Sequence, residues 1–490
     1  MIREMGDRNS PISLRIWIVL VTFACGVLGG LWLAERWKPK PVLESVVDAA
    51  DAGTVEFADV FARETEDPAF HGVAVSMAVL DEDGGVWFAS PLARTAMCPA
   101  SALKVLTTGA ALAKLGPDFR FETKLTTSAR AGDAINGDLI IVGGGDPTLT
   151  TRRLVAMMDD LANGGLRRID GRVLVDASFF PEYPMSDHWN FGDVGNAYGA
   201  GAYGLNVNHN RTVLRFRPGR AVGMEAAFLG AGMLLPGVVW DHRVTTGPPG
   251  SGDGVVVYSE PYGARVTTRG TVPAGAGEFA VRAAIPNPPE TAAAVARAAL
   301  LKMGVEITGR EHKAVRADEV LAATSSVPLI DIIRNIHHTS DNVEAQCVFL
   351  RLAPEGDPAA VVRTHWQDAG VEFAALRLLD GSGLARANMI RAVDLAAVTH
   401  AALAAEHGDV FHESLPVYQD GAVRSKPGGM SGVSTGTGTI TTAGGRRMTY
   451  AFMANGAPDT QAARNLRGRL RAAVAKHADG DRMARQPQND

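Results

Sequence analysis

The stretch from Cys98 to Pro117 constrains this chain more than any other, because it predicts a buried helix whose two ends are both marked. Pro99 disfavours helix in the residue before it, and Gly116-Pro117 stops a helix. Between them, residues 102–115 are mostly helix formers and are apolar nearly all round. A helix without a polar face belongs inside the fold.

Two reactive side chains lie at the start of this predicted helix. Ser101 is at the N-terminus and Lys104 follows three residues later, so both project from one face. The backbone N–H of Ser101 belongs to the first turn, which has no helical acceptor. Burial lowers the pKa of a lysine, and a neutral amine can take a proton from a serine hydroxyl. A nucleophile, a base and a donor for an oxyanion therefore meet at one point.

Composition narrows the class of protein. The 490 residues are 46% hydrophobic and 21% charged, which is typical of a globular chain of roughly two to four domains. The net charge is −5 and no Lys/Arg-rich run is interleaved with aromatics, so we predict no nucleic-acid binding. Cys25, Cys98 and Cys347 form no C-x-x-C pair, and Cys98 is predicted to be a small buried residue.

The N-terminal region contains a run without charges over residues 16–34, long enough to cross a bilayer. A cleaved signal peptide is the alternative, but Trp32 and Ala34 make a poor cleavage site. We predict a cytoplasmic N-terminus over residues 1–15, an uncleaved transmembrane anchor over 16–34 and a tether over 35–50. Basic residues are balanced across the run, so they do not fix its orientation.

The rest of the chain divides by pattern. Residues 51–122 and 321–478 are predicted to share one domain, which contains a hairpin (73–88), helices at 329–336, 343–352 and 460–476, and a core strand at 450–453. Short β-type runs between turn residues predict a β-rich insertion over 123–320, with a helix at 291–303. Residues 479–490 are polar and predict a disordered tail.

Three short motifs follow one another along the chain. Ser-x-x-Lys at 101–104 is by itself compatible with an ordinary surface helix, and Ser-x-Asn at 340–342 with an ordinary capping turn. Lys-x-Gly occurs at 114–116, 302–304 and 426–428, and the first two end helices. Lys426-Pro427-Gly428 instead precedes a Gly-rich stretch suited to a strand that another backbone can approach.

In this order, the three motifs resemble the catalytic set of penicillin-recognising acyl-serine enzymes. Over roughly residues 55–460, the sequence resembles the D-alanyl-D-alanine carboxypeptidase/endopeptidase family, the class C low-molecular-mass penicillin-binding proteins. The resemblance implies an α/β (α+β) transpeptidase-like, β-lactamase-like domain with an antiparallel sheet between helices, plus the β-rich insertion. The segments that carry it are Pro99–Lys104, Leu115–Phe121, Gly145–Leu149, Ser340–Asn342, Asp380–Leu384, Leu415-Pro416, Asp420-Gly421 and Ile440–Ala443.

The resemblance also implies roles for the motif residues. Ser101 would be the acylated nucleophile and Lys104 its base, Ser340 and Lys426 would relay a proton to the leaving D-alanine, and Asn342 would hold the acyl amide. The N–H groups of Ser101 and Gly429 would form the oxyanion hole, and Gly428 would let the substrate strand lie close. Peptidoglycan stem peptides and β-lactams would be the ligands, and the catalytic domain would lie outside the cytoplasmic membrane, on its periplasmic side.

One position departs from the family. Its third motif is usually Lys-Thr-Gly, but here Pro427 replaces the threonine whose hydroxyl would bind the terminal carboxylate of the substrate. The alternatives are therefore a catalytically impaired relative that binds cell-wall peptides or partners, which Pro427 favours, and a β-lactamase, which the long insertion argues against. Gly143–Asp146 is predicted to be a turn, because no Lys-Ser/Thr follows it as in a phosphate loop. His337-His338 lacks further ligands at metal spacing, so we predict no metal and no cofactor.

Overall fold

The computed structural model describes residues 52–479 apart from 182, 276 and 313–318. The predicted anchor (16–34) and tether (35–50) lie outside the described residues, as does the predicted tail after Asp479. Asp479 itself accepts hydrogen bonds from Thr442 Oγ1 (2.5 Å) and the Gly444 N–H (2.6 Å). Within the described ranges, no helix is long and apolar enough to cross a membrane.

The helices and strands, in chain order, have the following bounds. The α-helices are α1 (Ala52–Thr65), α2 (Lys104–Leu115), α3 (Thr151–Asn163), α4 (Phe191–Val194), α5 (Pro288–Lys302), α6 (Leu329–Thr339), α7 (Asn342–Arg351), α8 (Pro358–Asp368), α9 (Ala392–Ala404), α10 (Gly408–Ser414) and α11 (Thr460–His477). The strands are β1 (Ala74–Leu80), β2 (Val86–Ala89), β3 (Ala96–Met97), β4 (Glu122–Thr127), β5 (Arg130–Ala131), β6 (Ala134–Ile135), β7 (Leu139–Gly143), β8 (Arg168–Ile169), β9 (Val173–Asp176), β10 (Arg211–Arg217), β11 (Ala227–Ala231), β12 (Val239–Gly247), β13 (Val256–Tyr258), β14 (Arg265–Pro273), β15 (Phe279–Ala284), β16 (Glu306–Ile307), β17 (Glu319–Ser325), β18 (Ile390–Arg391), β19 (Val417–Tyr418), β20 (Val423–Met430), β21 (Val433–Thr441) and β22 (Arg447–Asn455).

The two ends of the described chain meet in one antiparallel sheet. Its six strands run in the order β19-β20-β21-β22-β1-β2, and Val79 of β1 pairs with Tyr450 of β22. Along β1, Met77 and Val79 face one apolar cluster while Ala78 and Leu80 face another. Side chains alternate between the faces of a strand, so β1 is buried on both sides and the sheet lies between two layers of helices.

The helical layers follow from the apolar stripes of their sequences. Phe57 of α1 and Leu466 and Leu470 of α11 pack on one face of the sheet. The other face is covered by α2 and α9, with α6, α7 and α8 packed beyond them in the same apolar core. The predicted antiparallel sheet between helices is therefore observed, and the β1–β2 hairpin and the core strand β22 are confirmed.

The middle of the chain builds separate sheets. The sheet β17-β4-β7-β9 packs against α3 and α5, while the sheets β11-β10-β15 and β12-β14-β13 enclose an apolar core of their own. The β-type runs that the sequence shows at residues 139–142, 172–175 and 213–216 form β7, β9 and β10. Helix α3 is missing from the sequence prediction, although Leu154, Met157, Met158 and Leu161 lie at helical spacing and the Thr150 side chain caps it.

Helix boundaries differ from the predicted ones by one to three residues, and capping side chains explain two of the shifts. Helix α5 begins at Pro288 rather than residue 291, because Asn287 accepts a hydrogen bond from the Glu290 N–H and proline is tolerated in a first turn. Helix α7 begins at Asn342 because the Asp341 side chain accepts from the Glu344 N–H. The second motif therefore spans a helix junction, as the sequence predicts.

Candidate active site

Ser101 lies in a 3₁₀ turn over Ala100–Leu103, and the α-helix proper begins only at Lys104. The predicted α-helical start at residue 102 is therefore two residues too early. Residues three apart eclipse each other in a 3₁₀ helix, so this turn aligns Ser101 with Lys104 more closely than an α-helix would. The Lys104 Nζ atom lies 3.1 Å from Ser101 Oγ.

The Lys104 amine has two further partners, and both are acceptors. It donates to the backbone carbonyl of Ser382 at 2.5 Å and to Asn342 Oδ1 at 2.6 Å. The amide of Asn342 is oriented by a hydrogen bond from Nδ2 to the carbonyl of Tyr198 (2.8 Å). A neutral amine has two N–H groups and one lone pair. With both N–H groups taken by acceptors, the lone pair is left for the Ser101 hydroxyl.

Burial favours the neutral form of the Lys104 amine. Lys104 is fully buried, and desolvation lowers its pKa to about 7, although the charges of Asp380 and Asp341 act in the opposite direction. Near neutral pH, a substantial fraction of Lys104 is therefore unprotonated and able to accept the proton of Ser101.

The second and third motifs meet beside this pair. Lys426 Nζ donates to Ser340 Oγ at 3.1 Å and to the carbonyl of Pro427 at 2.8 Å. Desolvation, with smaller contributions from the Lys104 and Arg467 charges, holds the pKa of Lys426 well below its usual range. Ser340 has a left-handed backbone (φ 61°) between α6 and α7, a conformation that costs energy in a serine.

Strand β20, which contains the third motif, packs against the 3₁₀ turn of Ser101 (Ala100–Leu103), called the serine turn below. A Cβ at Gly428 would lie 2.7 Å from Ala102 N and 2.9 Å from Pro99 O, so glycine is needed there for the strand to contact the turn. This requirement comes from the protein's own packing, in addition to the substrate contact implied by the resemblance. Gly429 and Ser101 both line the cleft. The Ser101 N–H precedes the first hydrogen bond of the turn, which Ala102 donates to Pro99 O.

The loop that supplies the Ser382 carbonyl is organised by a buried carboxylate. Asp380 accepts from the N–H groups of Ser382, Gly383 and Ala385, from the Asn388 side chain and from Trp189 Nε1. Trp189 belongs to the insertion, so this loop links the two parts of the chain. The Asp-Gly-Ser-Gly-Leu segment marks family resemblance in the sequence, but its role in orienting Lys104 is visible only in the structure.

An ion pair and a histidine–glutamate hydrogen bond dock the insertion on the start of α7. Arg211 contacts Asp341 Oδ2 at 2.5 Å, and His209 Nε2 contacts Glu344 Oε1 at 2.9 Å. Burial raises the pKa of Asp341, but Arg211, His209 and the Glu344 N–H together outweigh it and hold the net value below the usual range. Sequence reasoning missed Arg211, since no spacing rule relates it to a motif 130 residues away.

Arg211→Ala is expected to destabilise the fold by about 2 to 3 kcal/mol at neutral pH, because it removes the main counter-charge of a buried carboxylate. This is below the roughly 3 to 5 kcal/mol for a fully buried pair, since the Arg211 side chain is 26% exposed. A depressed carboxyl pKa contributes stability above the unfolded value of about 3.9 and loses it as the pH falls. The deficit should therefore shrink in denaturant melts below about pH 4. Arg215→Ala, an exposed arginine on the same strand, is the control. Equal stability of the two variants at pH 7 would contradict the role of the ion pair.

His337 connects the helices behind the site. It is fully buried, with Nε2 2.9 Å from Thr108 Oγ1 on α2 and Nδ1 2.8 Å from Ser414 Oγ at the end of α10. Desolvation, with the charge of Lys426, holds its pKa well below the usual range, so the ring is neutral. Its observed partners are two hydroxyl groups.

The catalytic groups open onto a cleft of about 420 Å³. Its walls include Asp193 and Tyr198 from the insertion, and Arg386, which donates to the carbonyl of Ser431 at 3.1 Å. All five predicted catalytic residues, Ser101, Lys104, Ser340, Asn342 and Lys426, are thus brought together. Cys98 is buried beside them, as predicted, and Asn455 bonds both its N–H and its carbonyl.

Comparison with known proteins identifies a family and its relatives. A family model described as the D-Ala-D-Ala carboxypeptidase 3 (S13) family matches residues 58–477. The chain is 29% identical to a D-alanyl-D-alanine carboxypeptidase of Actinomadura sp., over 81% of this chain and 80% of that protein. It is 25% identical to the D-alanyl-D-alanine carboxypeptidase DacB of Haemophilus influenzae, over 74% of this chain and 81% of that one.

Solved structures share the fold. Penicillin binding protein 4 (dacB) from Haemophilus influenzae superposes with a TM-score of 0.71 at 21% identity, covering 84% of this chain and 99% of that one. The same protein complexed with a β-lactam superposes with a TM-score of 0.67 at 22% identity, with the same coverage. The family match spans most of the chain, and a serine, a buried lysine and a second lysine converge on one cleft. The chain therefore belongs to the D-Ala-D-Ala carboxypeptidase 3 (S13) family of serine peptidases.

Proposed function

We propose that this protein hydrolyses D-alanyl peptide bonds of peptidoglycan stem peptides, as carboxypeptidase and endopeptidase, through an acyl-enzyme on Ser101. The observation that carries the proposal is the hydrogen-bonding of Lys104. Its two acceptors, the Ser382 carbonyl and Asn342 Oδ1, occupy both N–H groups of a neutral amine and turn the lone pair towards Ser101 Oγ.

Acylation follows from this geometry. Lys104 takes the Ser101 proton as Oγ attacks the carbonyl carbon of the D-alanyl bond, and the carbonyl oxygen becomes an oxyanion. The N–H groups of Ser101 and Gly429 would stabilise that charge. Departure of the D-alanine amine requires a proton, for which Ser340 Oγ, 3.1 Å from Lys426 Nζ, is the proposed donor. The proton that Lys104 took from Ser101 would be relayed through Lys426 to replace the one that Ser340 gives up, which leaves Lys104 neutral again. Water then hydrolyses the ester with Lys104 again as base.

The cleft edge of β20 would hold the substrate backbone. β19 pairs only with Val423 and Arg424, so among the described strands residues 426–430 of β20 have a partner on one side alone, β21. An extended peptide can add to such an edge by main-chain hydrogen bonds. Sheets tolerate proline at an edge, which explains how Pro427 fits the fold.

The impaired-relative alternative depends on Pro427 alone, because the nucleophile, its base and the second motif have contacts suited to catalysis. One experiment separates the alternatives. The enzyme should label with a fluorescent penicillin, release it slowly, and release D-alanine from a pentapeptide. Labelling without D-alanine release would favour the impaired relative, and rapid release of hydrolysed label would favour a β-lactamase.

Pro427→Thr is expected to raise D-alanine release from a pentapeptide by roughly tenfold to a hundredfold, since a hydroxyl bonded to the terminal carboxylate is worth about 1.5 to 3 kcal/mol. Cleavage of cross-linked dimers should rise less, because an internal cross-link need not present the same carboxylate. Steady-state rates on both substrates give the comparison.

Folding of the Pro427→Thr variant must be checked by its thermal midpoint, since the swap changes a strand fitted to proline. A well-folded variant without higher carboxypeptidase activity would contradict the hydroxyl argument. The substrate carboxylate would then have another anchor, for which Arg386 is the guanidinium that lines the cleft.

We infer in addition that residues 16–34 anchor the protein in the cytoplasmic membrane with the catalytic domain on the outer, periplasmic side. The charge-free run and the poor cleavage site support an anchor, and the external location of peptidoglycan supports the orientation. N-terminal sequencing of the membrane-extracted protein should find an intact N-terminus. A mature start near residue 35 would instead indicate a cleaved signal peptide.

A further inference from the structure

A pair of aromatic rings stands outside the cleft, on the insertion. Phe191 is 72% exposed and stacks on Tyr258, with ring centroids 5.3 Å apart and planes inclined by 29°. We call these two residues the aromatic platform. The Arg269 guanidinium lies 4.9 Å from the centre of the Tyr258 ring and donates to its hydroxyl at 2.6 Å. Neither Phe191 nor Tyr258 lines the catalytic cleft.

The platform is held rigidly although Phe191 is exposed. Gly195 packs so closely on β13 that a Cβ there would lie 2.3 Å from the Val257 carbonyl, and Asn196 Oδ1 accepts from the Val257 N–H at 3.1 Å. At the other end of the same segment, the Tyr198 carbonyl accepts from Asn342. The exposure of Phe191 is therefore a property of a fixed segment, and the stacked pair presents an aromatic face to a ligand.

The segment connects the platform directly to the catalytic cleft. Asp193 lies two residues after Phe191 in α4 and lines the cleft, where it accepts from the Tyr198 hydroxyl at 3.1 Å. Two residues of helix advance about 3 Å, so the Phe191 ring starts within a helical turn of the cleft wall. Residues two apart project from nearly opposite sides of a helix, so a ligand that occupies the cleft would reach the aromatic platform by extending across α4.

We propose that the aromatic platform binds a sugar ring of the glycan strand that carries the stem peptide, an inference that rests on the proposed function. A stem peptide with its D-alanyl end at Ser101 is joined at its other end to a sugar, and four extended residues span about 13 Å. The CH face of a pyranose ring packs on an aromatic face, and Arg269, whose guanidinium lies against the Tyr258 ring, can bond its hydroxyl or acetamido groups.

The test compares two substrates that differ only in the sugar. A disaccharide-linked pentapeptide and the same pentapeptide freed from its sugar are assayed with wild type and Phe191→Ala. For the disaccharide form, Phe191→Ala should raise KM about threefold to tenfold without changing kcat. Both constants for the free pentapeptide should stay unchanged. Phe191→Trp should keep the preference, and Leu234→Ala, which is 66% exposed elsewhere on the insertion, is the control.

A binding assay with peptide-free glycan strands measures the affinity of the aromatic platform for sugar independently of catalysis. Weaker binding by Phe191→Ala than by wild type supports the inference, even if neither substrate is cleaved and the proposed function fails. An equal rise of KM for both substrates would mean that the ring contacts peptide, and unchanged constants together with unchanged glycan binding would mean that the platform serves a protein or lipid surface. Either result overturns the inference.

Discussion

Ser101→Ala is expected to abolish covalent labelling by penicillin and to stop D-alanine release. The reason is local: Ser101 Oγ lies 3.1 Å from Lys104 Nζ, whose two other partners are acceptors, whereas Ser340 Oγ accepts from Lys426 Nζ. Removing the oxygen deletes the atom that forms the ester. Intact-protein mass spectrometry after incubation with penicillin measures the adduct directly.

Folding and a matched serine provide the controls for this result. The Ser101→Ala protein should keep the thermal midpoint of wild type, because Oγ is only partly buried and its loss leaves no cavity of consequence. Ser431→Ala, which also changes a serine of the cleft, should still be labelled. A stoichiometric adduct on another serine of the Ser101→Ala protein would disprove the assignment.

Lys104→Met is expected to slow acylation by about 10² to 10⁴, the range for loss of a general base. The unbranched methionine side chain can fill much of the space of the buried lysine, and it avoids the cost of burying an amine, so folding should persist. Stopped-flow acylation with a chromogenic β-lactam gives the rate. Lys114→Met, at an exposed position of the same helix, should acylate normally.

The pH dependence adds a second readout for Lys104. The base must be unprotonated, and its pKa is lowered to about 7 by desolvation, so the wild-type acylation rate should fall as the pH drops below about 7 and level off above it. Lys104→Met should lose this inflection. Retention of the same inflection in a folded Lys104→Met protein would assign it to another group.

The nucleophile and its base could be predicted from the sequence because their relation is local. Three residues separate Ser101 from Lys104, and any helical turn places both on one side. The apolar residues around them also predicted the burial that lowers the pKa of Lys104. The hairpin, the core strand β22 and the amphipathic helix α11 were predictable for the same reason, since their periodicity is contained in the segments themselves.

The remaining parts of the site depend on contacts between residues far apart in the chain. Asn342 and the Ser382 carbonyl lie more than 230 residues from Lys104, yet they decide which way its lone pair faces. The same holds for Arg211, which pairs with Asp341 across 130 residues.

Resemblance allowed Asn342 to be named, but it could not supply a geometry. A sequence records the order of residues and the local preference of each segment, whereas buried hydrogen bonds form only after separate elements pack together. The sequence by itself determined which groups could react, and the tertiary structure decided their orientation, their dielectric surroundings and the exposed aromatic platform beside them.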